Sequence, residues 1–440
     1  MSRFAPRFLA LLGMAALMFV APAQQTPPPT SPPATPPATA TFDSKTKQDV
    51  LDKLQGIVTS KAFVPGVDFS KWPTFLDTHR AEIDKADNEN TFAREVNKVL
   101  KQFGVSHISL HTPKATEMRT TGTTSGLGFQ VRKVDGGLEV TRVFPASPAG
   151  LAGVETGDTV KEVDGKPADD PGLLRVDVGK MLSLKIVKKN GETKELTLEN
   201  KSFSTRYPET VTWIGDDSAV LRLPTFAKTY DSRNIERIIQ EIDAKAKYLV
   251  IDLRNNGGGY ISNLNHFLSM FLPSGTPVGT FVSRTVADDY ARNHTEGLTD
   301  PLVIAAWCER KFKTRLRDGI QPFSGKIAVL INRGSASASE ICSAALKECH
   351  DAVLVGSKSL GAVLASTYGS LPDGFELQYP VQDYVTIKGE RLEGHPREPD
   401  LVVDAKDDAV QKAIELMKKK EAEHTNSASA PTGHGEKKAA

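Results

Sequence analysis

The chain has 440 residues, with 55 Lys+Arg against 54 Asp+Glu. That balance, with 39% hydrophobic and 25% charged residues, excludes a collagen-like, wholly disordered or polytopic membrane protein, and it leaves no basic face to neutralise a run of nucleic-acid phosphates. Cys308, Cys342 and Cys349 are too few for a disulfide scaffold and no Cys/His spacing matches a zinc site, so no metal or other cofactor is expected.

Residues 1–23 carry Arg3 and Arg7, an apolar run from Phe8 to Val20, and Ala21-Pro22-Ala23, the pattern of a signal peptide cleaved near Ala23. An exported protein, periplasmic or extracellular, is expected. The apolar run is only about 13 residues, against about 20 for a spanning helix, so no membrane span is expected in the mature chain. Residues 24–42 are rich in Pro, Thr and Ala and read as an extended linker. In residues 43–115, Val50, Leu51, Leu54, Ile57 and Val58, and later Phe92, Val96, Val99 and Leu100, recur at helical spacing, which predicts a small helical domain.

Residues 121–200 change to period-two runs broken by Gly136-Gly137, Asp164-Gly165 and Asn190-Gly191, which predicts a compact β-rich module. Residues 206–420 alternate buried-strand runs, such as Tyr248-Leu249-Val250-Ile251-Asp252-Leu253 and Ile327-Ala328-Val329-Leu330-Ile331, with helical stretches. Repeated strand–helix–strand units of this kind imply an α/β core. Residues 421–440 read as a disordered tail.

Three places carry candidate chemistry. Asn255-Asn256-Gly257-Gly258-Gly259 follows a buried strand, where glycines let backbone N–H groups approach a ligand; a tight turn is the plainer reading. Ser335-Ala336-Ser337-Ala338-Ser339-Glu340 lies at a strand-to-helix junction, where free N–H groups can meet an oxyanion and where serine also serves as an ordinary cap. Ser106-His107 occupies a strand-like run bordering two domains, and a histidine there becomes a base only if the fold brings a nucleophile to it.

Two of these strings, with the closing Glu393-Gly394-His395-Pro396-Arg397-Glu398-Pro399-Asp400, resemble in order the C-terminal processing (tail-specific) serine peptidases and the related tricorn core protease. The resemblance spans about residues 43–420. It implies a crotonase-like α/β protease core with Ser337 as nucleophile, and an oxyanion hole from the glycine run, Gly257 and Gly258, together with the Ala338 N–H. The middle module resembles a PDZ domain: Gly126, Leu127, Gly128 and Phe129 stand where such domains bind a peptide carboxylate, and Gly157-Asp158-Thr159-Val160 resembles a later turn and strand. The partners implied are protein or peptide substrates with apolar C-terminal segments.

One departure decides the mechanism. Tail-specific members use a lysine base, and Ala362 stands at its place here. Tricorn-like members use a serine-histidine pair and a glutamate instead, which implies His107 as base, Ser106 as relay and Glu393 as orienting acid, with Glu398 as the competing acid. A neutral histidine base predicts a rate that rises with pH through an ionisation roughly between 6 and 7.5. The alternatives are a Ser337/Lys358 dyad peptidase and a non-catalytic binding protein on the same scaffold.

Overall fold

The computed structural model describes residues 42–315, 321–404 and 407–428; the signal peptide and all but the last residue of the linker read from the sequence lie outside the described residues. Four helices, Ser44–Lys61, Trp72–Asp77, Arg80–Lys85 and Glu89–Leu100, open the described chain. Asp43 and Asn88 cap two of them by accepting from the N–H groups of Thr46 and Thr91. Their apolar faces bury Val50, Leu54, Trp72, Phe92 and Val96. The same cluster includes Leu364, Leu371, Phe375 and Leu377 from far along the chain, so this helical segment shares its core with the residues that follow the proposed nucleophile. Truncating one of these large buried side chains costs about 2–5 kcal/mol.

Strand Ser109–His111 leaves the helices and pairs antiparallel with Glu376–Thr386, in the register Ser109 to Gln378 and Leu110 to Leu377. That pairing fixes the position of His107, two residues upstream. Helix Pro113–Thr121 follows and leads into the β-rich module. Five strands, Phe129–Val134, Gly137–Val143, Thr159–Val163, Met181–Val187 and Thr193–Glu199, form an antiparallel sheet in sequence order, with a sixth, Lys166–Pro167, paired to Thr159–Val163. Asp164 and Gly165, with φ of 49° and 75°, make the two-residue turn that the sequence suggests. The module has its own core, including Leu138, Val140, Val160, Leu184 and Ile186. Strands Thr123–Gly126 and Lys201–Ser204 pair with each other, so the chain enters and leaves the module through one two-stranded stem.

The remaining residues add strands Pro277–Ser283, Phe312–Lys313 and Leu364–Ser370 to the sheet of Glu376–Thr386 and build a six-stranded sheet in the order Thr210–Ile214, Ser218–Arg222, Tyr248–Asp252, Lys326–Ile331, Val353–Gly356 and Leu401–Val402. The first pair is antiparallel and every later pair is parallel. Successive side chains of a strand point to opposite faces, and both faces are covered here. Leu249, Ile251, Ile327 and Val329 pack with helices Ser232–Asp243, Ile261–Leu268 and Ala338–His350. Tyr248, Val250, Ala328 and Leu330 pack with Ala409, Ala413 and Ile414 of the last helix. That helix, Ala409–Ala428, runs past Glu421 into the segment read as a tail, and the Tyr248 hydroxyl donates to Glu421. Tethering one end of the helix to the sheet supplies the order that its polar composition hides.

Candidate active site

Strand Tyr248–Asp252 ends in a turn whose geometry is set by Asn256. This side chain is fully buried; its Nδ2 donates to the Leu223 carbonyl (2.9 Å) and its Oδ1 accepts from the Gly258 N–H (2.9 Å). The Asn256 carbonyl in turn accepts from Ala336 N (3.1 Å) and Ser339 Oγ (2.8 Å), which ties the glycine turn to the turn before helix Ala338–His350. Gly258 has φ +92°, and a Cβ there would lie 2.7 Å from Ser337 Cβ and 2.9 Å from Ala338 N. Only glycine lets the two turns approach this closely.

The three serines of the second motif have different surroundings. Ser335 and Ser339 are fully buried and donate to the carbonyls of Leu253 (2.8 Å) and Asn256 (2.8 Å). Ser337 lines a cavity of about 690 Å³ and has φ 57°, a conformation that costs a non-glycine residue about 1–3 kcal/mol. Its backbone is pinned: Ser337 N donates to Ala362 O (2.9 Å) and to Glu340 Oε2 (3.2 Å). The buried Glu340 carboxylate also accepts from Gly361 N (2.8 Å), Ala362 N (3.0 Å) and Ser359 Oγ. Burial pushes its carboxyl above the usual range, against the pull of these donors. Glu340 stood in the motif, but nothing in the sequence assigned it this bracing role.

The expected oxyanion donors divide as well. Ala338 begins its helix, so its N–H lacks an intrahelical acceptor, and the Gly257 N–H makes no hydrogen bond among the described residues. Both residues line the cavity. Of the two expected glycine donors, the Gly258 N–H is committed to Asn256 Oδ1 and the Gly257 N–H is the one left open toward the cavity.

His107 lines the same cavity and also has positive φ, 56°. Its Nδ1 lies 2.6 Å from Ser106 Oγ, which donates to Glu393 Oε2 (2.8 Å). Glu393 is nearly buried and is oriented by two further donors, Ser106 N to Oε1 (2.7 Å) and Val363 N to Oε2 (2.8 Å). An ionised carboxylate only accepts, so the Ser106 proton is spent on Glu393 and its oxygen must accept from His107 Nδ1–H. The lone pair then resides on Nε2. Burial lowers the His107 pKa and the Glu393 charge partly offsets this, so the net effect favours the neutral ring. No hydrogen bond joins His107 to Ser337 among the described residues, although both line the cavity.

The alternative pair sits elsewhere. Lys358 Nζ lies 2.5 Å from Glu398 Oε1, both side chains are mostly exposed, and neither lines the cavity. Lys358 and Glu398 are thus paired with each other away from the cavity that Ser337 lines. Lys358→Ala is expected to keep kcat/KM within about twofold of the parent, because an exposed ion pair contributes little; a large loss in a peptide-cleavage assay would restore the dyad.

Gly126, Leu127, Gly128 and Phe129 do not line the cavity. They lead into strand Phe129–Val134, which among the described residues pairs on one side only, with Gly137–Val143. The carbonyls of Leu127 and Gly128 accept from Ala149 N and Phe144 N (each 2.9 Å), whereas the N–H groups of Leu127 and Gly128 make no hydrogen bond among the described residues. Among the described residues no group of three or more His, Cys, Asp or Glu side chains is placed to hold a metal.

Residues 217–403 match the model of Peptidase family S41. A probable CtpA-like serine protease of Staphylococcus epidermidis is 24% identical over 312 residues, covering 70% of this chain and 58% of that protein. A carboxyl-terminal-processing protease of Picosynechococcus sp. is 27% identical over 285 residues, covering 62% of this chain and 63% of that one. The chain thus spans less than two thirds of the length of the curated relatives it matches. Among solved structures, a photosystem II D1 C-terminal processing protease is similar at 19% identity and TM-score 0.47, covering 82% of this chain and 94% of that chain.

Proposed function

We propose that the protein, whose residues 217–403 match the model of Peptidase family S41, is an exported serine endopeptidase acting on protein or peptide substrates. The observation that carries the reading is the hydrogen-bonded chain from Glu393 through Ser106 to His107, ending in the cavity that Ser337 lines. His107 Nε2 takes the proton of Ser337 Oγ as that oxygen bonds the substrate carbonyl carbon. The Gly257 and Ala338 N–H groups meet the negative charge that develops on the carbonyl oxygen. The C–N bond breaks as His107 returns the proton to the leaving amine, and water, activated by the same imidazole, releases the acyl group.

The reading includes a crotonase-like core for residues 206–420 and a PDZ-like role for the module at 121–200. The unpaired edge of strand Phe129–Val134 and the open N–H groups of Leu127 and Gly128 suit an added peptide strand ending in a carboxylate. Export rests on the pattern of residues 1–23; no helix of the described residues is long and apolar enough to cross a membrane.

Covalent labelling with a fluorophosphonate, followed as a function of pH, tests the assignment. The label is expected on Ser337, at a rate that rises with pH and then levels. The base is the neutral imidazole and burial lowers its pKa, so the acid limb should fall below the ordinary histidine value of 6.5. Labelling of another residue, or a limb in the alkaline range, would reject the Ser337/His107 pair.

A further inference from the structure

The walls of the cavity around Ser337 carry charge of one sign. Apart from His107, its charged lining residues are Arg119, Arg142 and Lys228, and no Asp or Glu is among them. The chain as a whole is balanced, at 55 basic and 54 acidic residues, so the excess is local.

The three cations differ in how they are matched. Arg119 donates Nε and Nη2 to the two oxygens of Glu376 (2.7 and 2.6 Å) and lies 3.9 Å over the Tyr368 ring, so a carboxylate already neutralises it. The Arg142 guanidinium lies 4.8 Å from the Phe144 ring centre and 5.1 Å from that of Tyr207, and its Nε donates to Tyr207 Oη (3.1 Å). Two rings and one hydrogen bond therefore orient it, while no carboxylate among the described residues pairs with it. Lys228, on the loop after Phe226, likewise forms no ion pair among the described residues. Arg142 belongs to the β-rich module and Lys228 to the core, so the cations face the cavity from both parts of the chain.

We propose that this cleft selects peptides carrying Asp or Glu side chains close to the scissile bond, with Arg142 and Lys228 as the groups that read them. The proposal rests on the peptidase reading above and names its substrate class. A substrate carboxylate would supply the partner these cations lack. The cavity is open to water, so the effect is moderate and sensitive to salt.

The test compares fluorogenic peptides identical except for Glu, Gln or Lys at positions flanking the cleaved bond, each with a free and an amidated C-terminus. The Glu peptide should exceed the Gln peptide in kcat/KM by about 3- to 10-fold at low salt and the Lys peptide should be slowest, with the spread narrowing as salt is raised. Amidation should leave this order intact, because the recognised carboxylate belongs to the side chain. Arg142→Gln and Lys228→Gln should each bring the Glu-to-Gln ratio toward one. Equal rates for Glu and Gln, a preference for Lys, a preference seen only with a free C-terminus, or an unchanged ratio in both variants would overturn the proposal. Cleavage of none of the peptides would overturn the peptidase reading and the selection together, an outcome distinct from uniform cleavage of all.

Discussion

Ser337→Ala is expected to lower kcat by a factor on the order of 10⁵ or more while the protein stays folded, because a triad without its nucleophile retains only binding and oxyanion stabilisation. The substitution removes one oxygen and keeps what shapes the turn: the Ser337 N–H still reaches Ala362 and Glu340, and alanine bears the φ of 57° as serine does. A change in stability of no more than about 1 kcal/mol should accompany the loss. The neighbouring serines should behave in the opposite way. Ser335→Ala and Ser339→Ala each remove a buried donor from a backbone carbonyl, which costs about 1–3 kcal/mol of stability while leaving the nucleophile in place. Turnover of a peptide substrate, measured beside the melting temperature, separates the two classes. More than a hundredth of the parent kcat in Ser337→Ala would sink the nucleophile assignment.

Glu393→Gln should lower kcat by a factor on the order of 10³, since the acid acts through Ser106 on the tautomer and charge of His107. The parent carboxylate accepts from three donors: Ser106 N at one oxygen, and Ser106 Oγ and Val363 N at the other. An amide has a single oxygen. If that oxygen faces the Ser106 hydroxyl, the NH₂ group opposes the Ser106 N–H; if it is turned round, Ser106 must donate to His107 and the imidazole proton moves to Nε2, where a base cannot use it. A merely structural role would lower stability and leave the pH profile alone. The Glu393 charge raises the His107 pKa, so its removal should carry the acid limb of the residual activity to still lower pH. A profile that stays in place, or moves to higher pH, would separate Glu393 from the base.

The parts legible in the sequence are those with local signals. Tyr248–Asp252 and Lys326–Ile331 stand out because burial on both faces makes them continuously apolar, and the serine motif marks the following helix. The choice between Glu393 and Glu398 was not legible, since both lie in one loop without periodicity and the deciding contact, to Ser106, spans 287 residues. Gly257 and Gly258 were likewise indistinguishable until the Asn256 side chain took one N–H and left the other. Arg142 and Lys228 carry no motif; they meet across one cavity only because the module is inserted between His107 and Ser337.

The pairing of Ser109–His111 with Glu376–Thr386 has a consequence for the newly made chain. Emerging from its N-terminus, the polypeptide presents His107 early and Ser337 later, but the strand that positions the histidine and the glutamate that orients it come last. Contacts of such sequence separation carry a large loop-closure entropy and form late in folding. A growing chain therefore holds Ser337 before His107 has been set in place beside it. On the proposed peptidase reading, topology itself keeps the site incomplete until the late strand Glu376–Thr386 and Glu393 have arrived.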